Sequence, residues 1–194
     1  KTFWACIQHF LRDGDLLLVE NGTPTAGVGS LRLPAGVTNI AQAVWASIGY
    51  TLPALLGTLI AAPERRQILF IGDGAFQMTA QELSTILRHN LKAWIFLLNN
   101  DGYVIERAIL GKNARYNDIA AWKYTEIAQA LAGGSATPET HTVSNVAELR
   151  DVLESPHSGM VFVEVKLGRF DIPPSMVQSG RAIAEIDYTL KTPR

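Results

Sequence analysis

The fold prediction for this sequence depends mainly on the stretch LFIGDGAFQMTAQEL, residues 69–83. The largely apolar run at 67–71 is typical of a strand buried on both faces. Gly72-Asp73-Gly74 follows directly, and its two glycines permit a tight turn and a close approach to a ligand. A helix is predicted to begin near Thr79, because Glu82 lies three residues later at capping-box spacing. A strand, a glycine-rich turn and a helix are the parts of an α/β fold, in which ligands bind at the carboxyl ends of strands.

A second motif follows the next predicted strand, at 93–98, where the chain reads Asn99-Asn100-Asp101-Gly102. In a parallel sheet the carboxyl ends of both strands lie on the same side, so the two motifs are predicted to meet at one edge. The helix near Thr79 would direct free N–H groups at a phosphate there. Asp73 would then lie beside that phosphate, and two like charges need a cation between them.

Oxygen atoms from both motifs suit a magnesium ion, which prefers octahedral oxygen coordination and keeps water and substrate phosphates in its shell. Asp73, the amide of Asn100, the carbonyl of Gly102, two diphosphate oxygens and one water would fill six positions. Either motif alone is a common turn. Together, each closing a buried strand with a helix between them, they predict a magnesium–diphosphate site.

The remainder of the chain alternates predicted strands and helices, which indicates an α/β fold with a mostly parallel central sheet and helices on both faces. Further strands are predicted at 16–19 and 160–165, and residues 20–34 are predicted to form a loop. Helices are predicted at 2–11, 40–56, 104–110, 125–131 and 145–153, and onward from Pro174. Residues 133–138 are interpreted as a loop within one domain, so 1–194 is predicted to be a single domain with a helical C-terminal tail.

Composition excludes several classes of protein. The 194 residues are 47% hydrophobic and 18% charged, which is typical of a packed domain. A net charge of −1 gives no electrostatic reason to expect nucleic acid or an anionic membrane as a partner. The single cysteine, Cys6, excludes an internal disulfide. No apolar run reaches the roughly 18 residues that span a bilayer, and no signal peptide is visible, so we expect a cytoplasmic protein.

Other motifs are weaker. The stretch at 27–32 is a partial dinucleotide fingerprint that lacks its third glycine and does not directly follow a strand, which argues against a nicotinamide cofactor. The four histidines, His9, His89, His141 and His157, show no metal-ligand spacing.

The order GDG, helix, strand, NN resembles the signature of thiamine-diphosphate enzymes. The stretches GDGAFQMTAQEL (72–83) and FLLNNDGYVIE (96–106) are similar to the pyruvate, indolepyruvate and phenylpyruvate decarboxylases. The resemblance covers nearly the whole chain, through the segments at 20–23, 45–50, 62–67, 115–118 and 171–174. It implies the C-terminal, diphosphate-binding domain of such an enzyme, with thiamine diphosphate and Mg²⁺ as cofactors.

The resemblance also implies roles for individual residues. Asp73, Asn100 and the Gly102 carbonyl would hold the metal, and Ile48 would be the wedge that bends the cofactor into a V shape. The other residues that it places at the cofactor are Asn21, Thr23, Ala46, Ser47, Gly72, Gly74, Ala75, Tyr103 and Ile105. Among these, Thr23, Gly74 and Ala75 would approach the diphosphate, whereas Asn21 and the Ala46 carbonyl would lie near the aminopyrimidine ring.

Glu106 matches the acidic residue that assists decarboxylation and protonation at the reacting carbon, and Ile105 and Ile109 match the substrate pocket. From pattern alone, Glu106 is a solvated first-turn glutamate. The two isoleucines, at i and i+4, are typical of a buried helical face. Their functional roles therefore depend on the resemblance.

The same resemblance implies that this chain holds only part of an active site. In the family the cofactor bridges two domains, usually from two subunits, and a pyrimidine-binding domain supplies the activating glutamate and a pair of adjacent histidines. This sequence contains no His-His pair, so either the chain is a C-terminal piece of a larger enzyme or a separate chain completes it. The resemblance implies a pyrimidine-binding domain of the same enzyme as the partner, and a homodimer or homotetramer.

The implied reaction is that of a lyase, the release of CO2 and an aldehyde from a 2-oxo acid. RYND (115–118) and DIPP (171–174) are similar to the indolepyruvate and phenylpyruvate type, which favours an aryl or branched substrate, whereas Ile105 resembles the pyruvate-type pocket. Three alternatives stay open: a pyruvate decarboxylase, a carboligase of the acetolactate-synthase kind, and a non-catalytic binding domain.

Overall fold

Six parallel strands form the central sheet of the structure, a computed structural model that describes residues 2–186. The strands are β1 (Leu16–Val19), β2 (Thr38–Ile40), β3 (Gln67–Gly72), β4 (Trp94–Asn99), β5 (Glu139–Val143) and β6 (Val161–Lys166), in the spatial order β2-β1-β3-β4-β6-β5. Every pairing between these strands is parallel, which confirms the predicted α/β class.

Helices connect the strands and lie against the sheet. They are α1 (Thr2–Phe10), α2 (Thr23–Val28), α3 (Thr51–Ala61), α4 (Asp73–Thr79), α5 (Glu82–Arg88), α6 (Val104–Leu110), α7 (Tyr124–Ala130), α8 (Val146–Glu154) and α9 (Pro174–Ile186), with a 3-10 turn at Arg115–Asn117. Within residues 2–186, none of the helices has the length and apolar character that crossing a membrane requires.

Two hydrophobic cores cover the two faces of the sheet. Side chains of β3 alternate between them: Leu69 and Ile71 pack with α3, α4, α5 and α7, whereas Ile68 and Phe70 pack with α1 and α8. Because successive side chains of a strand point to opposite faces, a strand covered on both sides must be apolar throughout. This is why the central strands could be recognised from their apolar runs.

The predicted strands at 16–19, 67–71, 93–98 and 160–165 are confirmed to within one residue at each end. The helices predicted at 2–11, 104–110, 125–131 and 145–153 are confirmed as α1, α6, α7 and α8, and α9 begins at Pro174 as predicted. The predicted domain begins at Lys1 and its helical tail extends to Arg194, but Lys1 and residues 187–194 lie outside the described residues.

The predicted helix at 40–56 is wrong over its first part, because α3 begins only at Thr51. The carboxylate of Glu20 accepts hydrogen bonds from the N–H groups of Gly49 (3.1 Å) and Thr51 (3.3 Å), and Gly49 has a φ of 83°, which a helix does not allow. Nearly all of 41–50 is exposed or half-exposed irregular chain rather than a buried helix.

The predicted helix start near Thr79 is also wrong. Thr79 is the last residue of α4, which begins at Asp73 directly after β3, and α5 begins at Glu82. The Thr79 hydroxyl donates to the carbonyl of Gly49 (2.9 Å), so it makes no capping box. The helix that follows the GDG turn thus starts at the metal-ligand candidate itself, six residues earlier than predicted.

The predicted loop at 20–34 contains α2, whose first turn carries Pro24, a residue with a backbone angle suited to a helix start. Strands β2 and β5 were missed, because both are short edge strands with exposed or half-exposed polar residues in place of an apolar run.

Candidate active site

Asp73 lies at the carboxyl end of β3 with only 1% of its surface exposed. Its Oδ1 accepts a hydrogen bond from the N–H of Gly74, and its Oδ2 accepts one from the N–H of Gly102, both at 2.9 Å. The second bond joins the end of β3 to the loop after β4, since Gly72 and Leu98 are paired in the sheet. The structure therefore brings the two sequence motifs into direct contact.

The Asp73 carboxylate has an unusual electrostatic environment. Burial raises the pKa of Asp73 to about 6, although the N–H groups of Gly102 and Gly74 act in the opposite direction. Within residues 2–186, no basic side chain forms an ion pair with it. Burying a carboxylate without a cationic partner costs free energy unless a cation binds it. The pKa values of Tyr103 and Tyr124 are raised, mainly by burial and in part by the negative charge of Asp73.

Asn100 is the second oxygen donor at this edge, and only 3% of its surface is exposed. Its Nδ2 donates to the hydroxyl of Thr23 at 3.3 Å. Thr23 opens α2 just after β1, so three neighbouring strand ends contribute to one site. The amide of Asn100 and the carboxylate of Asp73 are the oxygen donors that Mg²⁺ prefers, and the structure places them at the same strand edge.

A small cleft of about 50 Å³ opens over these strand ends. Its lining consists of Asn21, Gly22, Thr23, Pro24, Ile48, Gly72, Asp73, Gly74, Ala75, Asn100, Gly102, Tyr103, Val104 and Ile105. Nearly all the residues that the sequence placed at the cofactor are in this set. Ala46 and Ser47 are outside it, on the exposed 41–50 segment.

Two glycines are required by the close packing of the cleft. A Cβ on Gly74 would lie 2.4 Å from the Tyr103 ring, and a Cβ on Gly102 would lie 2.1 Å from the carbonyl oxygen of Asn117. Gly102 also has a φ of 118°, in the region that favours glycine. The glycines of both motifs therefore allow the start of α4 and the loop after β4 to approach each other.

Glu106 and Ile109 lie on α6, beyond the lining of this cleft, and both are partly buried. Ile105, on the first turn of the same helix, does line it, and Ile48 lines it with 40% of its surface exposed. Of the three residues of α6 that were predicted to act on the substrate, the cleft lining thus includes Ile105 but not Glu106 or Ile109.

Arg107 is a site residue that the sequence did not reveal. Its side chain is fully buried and donates to the carbonyls of Asn100 (3.4 Å) and Asn117 (3.2 Å) and to the carboxylate of Asp118 (3.0 Å). A further bond reaches the carbonyl of Asp101. Arg107 therefore fixes the loop that carries Asn100 and Gly102. A buried arginine has no periodic signal, so only these contacts distinguish it from an exposed helix residue.

Glu20 is a second such residue, fully buried at the end of β1. It binds the N–H of Asn21 (2.9 Å) and the hydroxyl of Thr51 (2.7 Å), as well as the N–H groups described above. Asn21 in turn donates to the carbonyl of Gln42 (2.9 Å). These bonds hold the 41–50 segment beside the cleft.

Several hollows of the molecule are larger than this cleft. A groove of about 450 Å³ runs between α1 and α8, and it contains none of the strand-end residues. A hollow of about 280 Å³ borders Asp73 from the other side, with Trp122, Tyr124 and Lys166 in its wall. The convergence of buried oxygen donors distinguishes the small cleft from the α1–α8 groove.

Comparison with known proteins identifies the family to which this chain is similar. A family model described as thiamine pyrophosphate enzyme, C-terminal TPP binding domain, matches residues 25–165. The chain is 46% identical over 181 residues to an alpha-keto-acid decarboxylase of Mycolicibacterium paratuberculosis, an alignment that covers 92% of this chain and 32% of that protein. A protein of the same name from Mycobacterium avium is 45% identical over 181 residues, again 92% of this chain and 32% of that protein.

A third relative, an alpha-keto-acid decarboxylase of Mycobacterium ulcerans, is 45% identical over 177 residues, which are 90% of this chain and 31% of that protein. The chain thus spans about a third of the length of these relatives. The matched range includes both motifs and every strand from β2 to β5. On this evidence the chain belongs to the thiamine pyrophosphate enzymes and carries their C-terminal cofactor-binding domain.

Proposed function

We propose that this chain supplies the diphosphate- and magnesium-binding half of the active site of a thiamine-diphosphate-dependent 2-oxo-acid decarboxylase. Such an enzyme is a carboxy-lyase that releases an aldehyde and CO2. The observation that carries the proposal is the Asp73–Gly102 contact between the GDG and NN motifs, in a chain 46% identical to an alpha-keto-acid decarboxylase.

The residues at the strand ends fit a magnesium ion. Asp73 offers a carboxylate, Asn100 an amide oxygen and Gly102 a carbonyl, all from buried residues. These hard oxygen donors suit Mg²⁺. A divalent cation would also neutralise the buried charge of Asp73, for which no basic partner is seen within residues 2–186. Asp73, Asn100 and Gly102 would therefore hold Mg²⁺ against the diphosphate.

The diphosphate would lie over the turn between β3 and α4. Gly72 and Gly74 leave the backbone there open to a ligand, and Ala75 and the Thr23 hydroxyl lie in the same cleft wall. When bound, thiamine diphosphate supplies the nucleophilic carbon and the electron sink for decarboxylation. The task of this chain is to bind and orient that group. Ile48 would support its bend, while Asn21, Ala46, Ser47, Tyr103 and Ile105 would contact its rings.

Glu106 is proposed to hold or transfer a proton near the reacting carbon. It lies on the first turn of α6, four residues after Gly102, and its side chain is neither fully buried nor fully exposed. Ile105 and Ile109 are the proposed walls of the substrate pocket. Ile105 already lines the cleft, which supports its assignment more than that of Ile109.

A pyrimidine-binding domain of the same enzyme, from a second subunit, is proposed to cover the cleft, which makes the enzyme a homodimer or homotetramer. The 41–50 segment beside the cleft presents large apolar side chains to solvent, with Val44 85% and Trp45 80% exposed. Exposed apolar groups of this size are typical of surfaces that bind another protein surface.

A substrate panel on the complete enzyme tests the proposal. With thiamine diphosphate and Mg²⁺ present, we expect aldehyde and CO2 in equal amounts from indolepyruvate, phenylpyruvate or branched-chain 2-oxo acids, and slower turnover of pyruvate. If pyruvate were turned over faster than these larger 2-oxo acids, the enzyme would instead be a pyruvate decarboxylase. Acyl transfer to a second 2-oxo acid without free aldehyde would instead indicate a carboligase, and cofactor binding without turnover would contradict the enzymatic proposal.

A further inference from the structure

Three side chains of types that can bind a metal ion lie close together near the amino ends of β5 and β6. Glu139 and His141 are two residues apart on the edge strand β5, and His157 lies in the loop between α8 and β6. Glu139 is paired with Val161 at the start of β6, so the loop before β6 passes beside the start of β5. The sequence spacing of these residues does not reveal the cluster, because His157 is 16 residues from His141 and only the fold brings the two side chains together.

The candidate ligand atoms of this cluster lie close to one another. Nε2 of His141 lies 2.9 Å from Oε1 of Glu139, and Nδ1 of His157 lies 2.8 Å from Oε2 of the same carboxylate. One ligand atom from each residue can be chosen so that all three lie within 4.8 Å of one another. Ligand atoms around a tetrahedral Zn²⁺, with bonds of about 2.0–2.1 Å, are roughly 3.3 Å apart. Small side-chain movements would therefore admit such an ion.

The surroundings of His157 orient it as a ligand. Its Nε2 donates to the carbonyl of Val152 at 2.7 Å, which leaves Nδ1 directed at Glu139. Metal-binding histidines commonly donate their second ring nitrogen to a carbonyl or carboxylate in this way. The His157 ring is 4% exposed and packs edge-on against Trp94, with ring centroids 4.8 Å apart. Its position is therefore fixed by the fold.

The other two ligands leave the cluster open to solvent. The side chain of His141 is 28% exposed and that of Glu139 is 44% exposed. A metal bound there would have three protein ligands and a fourth position for water or another small molecule. The cluster thus combines one rigid ligand with an accessible coordination position.

We propose that Glu139, His141 and His157 form a binding site for one divalent first-row transition-metal ion, of which Zn²⁺ is the best match. Imidazole nitrogens suit zinc, copper or nickel, whereas Mg²⁺ prefers oxygen ligands alone. The metal would replace the proton between Nδ1 of His157 and Glu139. It would join β5 to the loop before β6 and so hold the edge strand to the sheet.

This site is separate from the proposed magnesium site and does not depend on the proposed function. The cluster lies at the amino ends of β5 and β6, whereas Asp73 follows the carboxyl end of β3. Ile68, Trp94, Val161 and Glu139 are in register across the sheet, and Asp73 follows Ile68 by five residues. At about 3.3 Å per residue and about 4.8 Å per strand, the two sites are on the order of 20 Å apart.

Isothermal titration of the intact, untagged protein with ZnCl2 tests the proposal. Saturating Mg²⁺ and thiamine diphosphate are present throughout, so that the strand-end site is already filled. We expect one Zn²⁺ per chain, and a rise in melting temperature that MgCl2 alone does not produce. Titration with Co²⁺ should give the visible ligand-field absorption of a site with nitrogen ligands.

His141→Gln and Glu139→Gln should each weaken Zn²⁺ binding by at least about tenfold. His89→Gln, at an exposed histidine at the end of α5, should leave it unchanged. His141 is not fully buried, so its variant should fold even if a change at His157 does not. Absence of Zn²⁺ binding under excess Mg²⁺, or unchanged binding in a His141→Gln/Glu139→Gln protein, would overturn the proposal.

Discussion

Asp73 combines two properties that rarely occur together, deep burial and a negative charge that no basic side chain within residues 2–186 neutralises. Two backbone N–H groups orient its oxygens, and burial keeps the pKa at about 6 in the metal-free protein, above the ordinary value of 3.8. The carboxylate is therefore positioned for a cation before the cation arrives. The residue type and its place after a buried strand could be predicted from the sequence, but the bond to Gly102 could not, because it joins residues 29 positions apart.

The raised pKa of Asp73 predicts a pH-dependent metal affinity. A metal binds the ionised carboxylate, so above pH 6 no proton has to leave, whereas below pH 6 each binding event displaces one. The affinity for Mn²⁺ or Mg²⁺ alone should fall as the pH falls through 6, by about tenfold per pH unit in the acid limit. Titration of the metal without the cofactor removes the contribution of the cofactor's own phosphates. An affinity that is constant between pH 5 and pH 7 would contradict this prediction.

Arg107 should prove essential to the loop that carries two of the proposed metal ligands. Arg107→Met removes the side-chain donor to the buried carbonyl of Asn100, whereas the carbonyl of Asn117 keeps the N–H of Tyr103 as a donor. We therefore expect the free energy of unfolding in urea to fall by about 1–3 kcal/mol. Magnesium-dependent cofactor affinity should fall as well. Arg88→Met, at an exposed arginine in the last turn of α5, is the matched control. Equal effects of both substitutions would show that the Arg107 contacts contribute nothing specific.

At the scale of elements, the local sequence predicted the strands and helices whose residues are buried in a regular pattern. It failed where a contact between residues distant in sequence determines the backbone conformation. The apolar runs of β3, β4 and β6 are buried almost throughout, as expected for strands of a sheet that is covered on both faces. The 41–50 segment is apolar enough to suggest a buried helix, yet Glu20 binds its backbone near Gly49 and the chain stays irregular. Strands β2 and β5 are held by neighbouring strands rather than by an apolar pattern of their own.

Glu20 should therefore control the order of the 41–50 segment. Glu20→Ala removes the acceptor for the N–H groups of Gly49 and Thr51, so we expect faster hydrogen exchange over 41–51. Protection in β4 and β6 should persist. Glu64→Ala, at an exposed glutamate, should leave exchange in 41–51 unchanged. Unchanged exchange in the Glu20 variant would show that the segment is ordered by other contacts.

For the whole molecule, two hydrophobic cores pack against the two faces of the sheet, and the 41–50 segment beside the cleft exposes large apolar side chains that a second surface is proposed to cover. The family could be inferred from the GDG and NN motifs, and the parallel sheet from the alternation of predicted strands and helices, since both signals depend on residues close in sequence. The histidine cluster could not, because β5 and the loop before β6 meet only in the folded sheet.

The exposed Trp45 should belong to the surface that a partner domain or subunit covers. Trp45 is 80% exposed, so Trp45→Glu should leave the stability of the isolated fold nearly unchanged while it weakens association and cofactor binding. Analytical ultracentrifugation of the complete enzyme measures the association. Ile60→Glu, at the far end of α3 with 66% of Ile60 exposed, is the control. An unchanged oligomeric state and cofactor affinity in the Trp45 variant would exclude this segment from the interface.

The central claim is that Asp73 and Asn100 hold a magnesium ion that binds the diphosphate. The most direct test is calorimetric titration of the complete enzyme with thiamine diphosphate, with and without Mg²⁺, for wild type, Asp73→Ala, Asn100→Ala and the exposed control Asp151→Ala. We expect tight binding only with Mg²⁺, a loss of at least about a hundredfold in both strand-end variants, and no change in the control. Tight binding that survives Asp73→Ala, or that needs no divalent cation, would contradict the account.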